Sequence, residues 1–117
     1  MALSNAGKDA LLEGLAGVAL YASLHTADPS TTGANEVSGG SYAREVIPWD
    51  AASGGSLTTD NSIVFDVPAG TTITHVGYWS ALTSGTFYGG VVLDDSQTFA
   101  TAGTYTIAAG NLSESIS

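Results

Sequence analysis

Apolar side chains recur along this chain in two rhythms, and the change between them marks its first boundary. Leu3, Ala6, Ala10 and then Leu11 or Leu15 return at helical spacing over the first fifteen residues. Ser4 or Asn5 can cap this segment, and Gly14 and Gly17 end it. The spacing predicts one short helix over about residues 4–14. Such a helix is too short to be stable alone, so it must dock on a sheet or on a neighbouring subunit.

From Val18 the period becomes two. Val18, Leu20, Ala22 and Leu24 alternate with Ala19, Tyr21, Ser23 and His25, the pattern of a half-buried strand. Thr26 to Ser41, with Asp28-Pro29 and Gly33, Gly39 and Gly40, reads as a long loop. Loops beyond about 12 residues commonly serve as contact elements. Tyr42 to Trp49 predicts a second strand, placed at an edge or ended by Pro48, which has no N–H to give a ladder. Leu57 to Thr59 is expected to pair locally, and Ile63, Phe65 and Val67 give a clear alternation. Thr71 to Ser80 is the longest strand expected, and a turn at Thr83 to Gly85 leads into Thr86 to Leu93. Asp94-Asp95 is expected to break that run. Gln97 to Ala100 and Thr104 to Ala108 then form a hairpin, and Leu112 and Ile116 a last short strand.

Strands spaced about every 8–12 residues are the signature of an all-β domain. The expected fold is mainly β, an antiparallel β-sandwich or flattened barrel of seven to eight short strands with one short N-terminal helix, forming one domain over residues 1–117. Leu20, Leu24, Ile63, Phe65, Ile73, Val91 and Ile107 are its expected core.

Composition narrows the function. Two cations, Lys8 and Arg44, face eleven acids, for a formal net charge of -9. Affinity for nucleic acid comes mainly from Lys and Arg neutralising phosphates, so a nucleic-acid partner is excluded, as is anchoring on anionic lipid. The acidity suits solubility first, or docking on a basic partner surface. There is no cysteine, hence no disulfide framework and no thiolate. No stretch approaches the ~18 apolar residues of a membrane span, so no membrane insertion is expected. The start of the chain lacks the basic and apolar regions of a signal peptide.

Candidate chemistry is sparse. His25 and Asp28 flank the long loop and His75 lies mid-strand, but no Gly-x-Ser-x-Gly elbow accompanies them, so no catalytic residue is assigned. Two histidines fifty positions apart do not have zinc spacing. Asp94-Asp95 and Asp60-Asn61 offer oxygens for calcium, yet turn duty explains them better, so no metal and no cofactor is expected. The glycines lie between strands and cradle no phosphate. Paired carboxylates across a sugar-sized cleft are not evident either. The aromatic residues say more. Adjacent pairs Tyr78-Trp79 and Phe87-Tyr88 must point to opposite faces, which sends one ring of each pair away from the core, toward a second layer, the surface or a subunit contact.

Three segments are familiar together: Tyr21-Ala22-Ser23-Leu24-His25-Thr26-Ala27-Asp28-Pro29, then Gly39-Gly40-Ser41-Tyr42-Ala43-Arg44, then Thr74-His75-Val76-Gly77-Tyr78-Trp79-Ser80-Ala81 leading to Gly85-Thr86-Phe87-Tyr88-Gly89-Gly90. In this order the chain resembles a family of small tail-fibre-like or minor tail proteins of actinobacterial tailed phages and prophages. The resemblance implies a non-enzymatic structural protein, made in the host cytoplasm and carried on the virion. It implies other virion proteins as partners, tail proteins or the major capsid protein. A homo-oligomer is expected, a trimer being one form. Three roles follow: a tail-associated protein, a capsid decoration or head-fibre protein, and a carbohydrate-binding host-recognition module stacking Trp49 or Trp79 on a sugar. The expected protein contacts are Leu3, Leu11, Leu12 and Leu15 of the helix, Asp28 and Pro29 of the loop, and Trp49, Trp79 and Tyr88.

Overall fold

The structure is a computed structural model and describes residues 3–115. It opens with helix α1 (Asn5–Ala16), capped as expected by the Ser4 side chain, which accepts from the Gly7 N–H. Eight strands follow: β1 (Tyr21–His25), β2 (Glu45–Val46), β3 (Ser56–Thr58), β4 (Ile63–Val67), β5 (Thr71–Trp79), β6 (Phe87–Phe99), β7 (Gly103–Ile107) and β8 (Ser113–Ser115). All pair antiparallel, in one four-stranded sheet ordered β2-β1-β5-β6 and two ribbons, β3-β8 and β4-β7. The protein is therefore mainly β with one short helix, a sandwich in which β4-β7 covers the inner face of the large sheet.

The core lies between those layers. Ala22, Leu24, Ile73, Val76 and Tyr78 of the large sheet meet Ile63, Phe65, Val67 and Ile107 of the ribbon. β4 shows the alternation its sequence predicts, with Ile63, Phe65 and Val67 buried and Val64 and Asp66 outside. Val91 is only partly buried at the sheet margin.

Leu20 corrects the expected core: it is 43% exposed, while its neighbour Ala19 is enclosed. The reason is that β1 begins only at Tyr21: the Leu20 N–H turns back to the Val18 carbonyl, so the alternation expected from Val18 does not run through Leu20. Within β1 both faces are covered. Ala22 and Leu24 face the core, and Ser23 and His25 are equally buried on the opposite side. The 26–41 segment supplies that second cover by folding back over the sheet. Its Pro29 carbonyl accepts from the Gly33 and Ala34 N–H groups, and the Val37 N–H donates to the Leu24 carbonyl. Gly33 takes φ +77, and any β-carbon there would run into the Trp79 ring. Gly77 beneath it has the same constraint: an added Cβ would sit 2.6 Å from His25 Nε2 and 2.6 Å from Ser23 Oγ.

Three strand readings also change. The second strand shrinks to Glu45–Val46, an edge strand as Pro48 implied, because Arg44 and Ile47 turn inward on either side of it. Asp94-Asp95 does not end β6, which at thirteen residues is longer than β5. The acids interrupt the ladder instead: Ile73 faces Gln97 but His75 faces Val92, so β6 carries extra residues there and their side chains stay in water. Finally, β7 pairs with β4 rather than with residues 97–100, and β3 pairs with β8. Ile116 lies outside the described residues.

Candidate functional site

A tight cluster of catalytic residue types sits under the 26–41 cover. Ser23 Oγ lies 2.7 Å from His25 Nε2, and His25 Nδ1 lies 2.8 Å from the Ala34 carbonyl. A carbonyl can only accept, so Nδ1 carries the proton and Nε2 accepts from the Ser23 hydroxyl. Ser23 Oγ in turn accepts from Trp79 Nε1, at 2.9 Å. Serine and histidine thus stand at the distance a nucleophile and its base would need, but neither has any exposed surface. The third partner is a backbone carbonyl instead of a carboxylate. The network locks the cover to the sheet and presents nothing to a substrate.

Burial holds the His25 pKa below the ordinary histidine value, opposed by the Ala34 carbonyl and Glu36, while His75, its direct partner across the β1–β5 ladder, lowers it further. The folded state therefore binds this proton less readily than the unfolded chain. The neutral-His25 contribution is fully present above pH ~6.5 and is lost as pH falls below it. Stability of the protein should decline between pH 7.5 and pH 5, with a slope of up to about 1.4 kcal/mol per unit from this residue. His25→Gln should be less stable at pH 7.5 and show a flatter profile. Urea midpoints at several pH values check this, and parallel profiles for the two proteins would refute it.

Beside this network lies a polar clamp. Arg44 is 8% exposed and forks onto Glu36, its Nη2 donating to Oε1 at 2.9 Å and its Nε to Oε2 at 3.0 Å. Its Nη1 donates to the carbonyls of Ala81 and Ser84, and the guanidinium lies 3.7 Å over the Trp79 ring. Tyr42 completes the set, donating to Glu36 Oε2 and accepting from the Leu24 N–H. Burial raises the Tyr42 pKa, which keeps the phenol a donor to the carboxylate. One of the chain's two cations is consumed in this way. Nothing in the spacing of Arg44 to Glu36 along the chain announces the pair.

The nine expected contact residues divide by burial. Leu12 and Pro29 are interior. Leu3 and Leu15 are half-buried, and the helix lies against β3, where Asp9 accepts from the Gly55 N–H and Glu13 from the Ala52 N–H. Trp49 is half-buried against Tyr78 and donates to the Ala19 carbonyl, and Trp79 is half-buried beneath Arg44. Asp28 is exposed and accepts from the Ser30 N–H. Leu11 and Tyr88 turn outward. The sequence reading missed a further apolar group, in which exposed Val46, Val64 and Leu82 surround a shallow hollow of about 410 Å3 with Tyr21 and Ile63. Beside it, burial raises the Glu45 pKa, helped by the charge of Asp66.

No group of three or more His, Asp or Glu side chains converges on a metal position among the described residues, and no helix is long and apolar enough to cross a membrane. Among the described residues every buried side-chain polar group has an internal partner. Residues 2–115 match the family model described as podophage GP4 fiber I protein gp80, and the chain belongs to this family of phage fibre proteins. No curated protein matches it. The resemblance noted in the sequence stands at that level, a structural component of a phage particle.

Proposed function

We propose that the protein is a non-enzymatic, fibre-like subunit attached to the phage tail, working as a homo-oligomer bound to other virion proteins. The observation that carries this reading is the match to a fibre family over nearly the whole chain. The internal spending of Ser23, His25 and Arg44 agrees with it, since no polar group of the two clusters is left to act on a substrate. A net charge of -9 favours basic surfaces on the neighbouring virion proteins. Leu11 on the helix and the Val46–Val64–Leu82 group are the side chains placed to meet them.

Antibody labelling of intact virions, averaged by electron microscopy, tests the position. Label on the tail is expected. Label spread over the capsid lattice would overturn the tail assignment in favour of a decoration or head-fibre protein.

A further inference from the structure

The two edges of the large sheet are protected very differently. β2 has two residues and runs toward Pro48, a short edge of the kind that resists pairing with another chain. β6 forms the other edge with thirteen residues. Its inner side is laddered from Gly89–Val92 onto Tyr78–His75, and among the described residues no hydrogen bond reaches its outer side. Phe87 to Leu93 contains no charged residue and no proline, two of the usual guards of an open edge, and its one irregularity is a register shift that leaves Tyr88 without a partner on β5. Exposure alternates along this stretch, with Tyr88, Gly90, Val92 and Asp94 outside, and Val92 is 64% exposed. The sandwich also stays open beside it, because β7 bonds only to β4. A groove of about 570 Å3 runs there, lined by Val91, Leu93, Tyr105, Ile107 and Leu112.

We propose that β6 is the edge through which two copies of this chain associate, pairing antiparallel about a two-fold axis at Gly90 and joining their four-stranded sheets into one. This rests on reading the protein as a self-assembling fibre subunit. The occupant is a second copy because the strand complements itself in this register. Tyr88 of each copy meets Val92 of the other, an aromatic and β-branched cross-strand pair, and the two Gly90 residues face each other. Asp94 and Asp95 fall beyond the uncharged run, opposite Thr86 and Gly85. An axis at Asp94 would instead set acid against acid, which opposes pairing. A two-fold axis perpendicular to the sheet leaves each face on its own side, so the two grooves lie on the same side of the joined sheet.

The absence of cysteine gives a clean test. In a Tyr88→Cys/Val92→Cys variant the two thiols are four residues apart on one strand, roughly 13 Å, too far for a bond within the chain. Mild oxidation should yield a disulfide-linked dimer of the double variant and of neither single variant. Val92→Asp, at an exposed position, should keep the wild-type circular dichroism and raise the dimer dissociation constant about tenfold in sedimentation equilibrium. A wild-type protein that sediments as a monomer would overturn both the edge and the self-assembling reading. A trimer, or any oligomer that the cysteine pair does not cross-link, would overturn the edge and leave self-assembly standing.

Discussion

Arg44→Ala should destabilise the protein by about 3–5 kcal/mol, read as a fall in the urea midpoint at fixed protein concentration. The substitution removes four hydrogen bonds at once, two to Glu36 and one each to Ala81 and Ser84, together with the contact over Trp79. It leaves the Glu36 carboxylate partly buried with only the Tyr42 hydroxyl donating to it. An orphaned charge costs more than the bond it loses, which is why removing one partner is worse than removing both. Arg44→Met with Glu36→Gln should therefore recover part of the loss. Arg44→Lys should remain clearly destabilised, since a point charge cannot reproduce the fork onto Glu36 while reaching two carbonyls. A loss below about 1 kcal/mol for Arg44→Ala would show that solvent supports these groups and that the clamp does not hold the three segments together.

What the sequence made legible depended on how many faces of each strand meet water. β4 has one buried and one solvated face, so Ile63, Phe65 and Val67 stood out by alternation alone. β1 has two buried faces, and there alternation carries no information. Ser23 and His25 are not marked as interior by the pattern, because the cover over them is an irregular segment whose fold depends on Pro29, Gly33 and Val37 rather than on any period. Leu20 fits the alternation yet lies outside the strand, where the chain turns back from it to the Val18 carbonyl. The long loop was legible as a loop; Pro29 and Val37 are its buried residues, Gly33 and Glu36 are half-buried, and the rest of it is exposed. Pairings distant in sequence, such as β3 with β8, leave no local mark, so a hairpin was expected where β7 in fact crosses to β4. The same limit hid the candidate site. His25 and His75 are direct cross-strand partners, and Arg44 reaches residues 37 and 40 positions away, relations that spacing along the chain does not encode. What the three familiar segments did carry was the likeness to phage structural proteins, which the family match supports at that level.

Phe65→Ala should cost about 3–5 kcal/mol, the range for emptying a fully enclosed aromatic site. Phe65 has no exposed surface, lies opposite Tyr105 in the β4–β7 ladder, and stacks on the Tyr42 ring with centroids 6.5 Å apart and planes within 14°. It thus sits between the ribbon and the large sheet, where closing a cavity would require one layer to move toward the other. Tyr42 links this ring to the clamp, because its hydroxyl bonds both Glu36 and the Leu24 backbone. A Tyr42 ring left unsupported shifts those bonds as well, so Phe65→Ala and Arg44→Ala should be non-additive by about 0.5 kcal/mol or more. Val64→Ala supplies the control on the same strand, since its side chain is on the solvent face and should cost under about 1 kcal/mol. With a total stability of order 5–15 kcal/mol, the Phe65 variant should show a much lower urea midpoint and an unchanged slope. Equal losses for the two alanine variants would mean that β4 does not hold the face assigned to it.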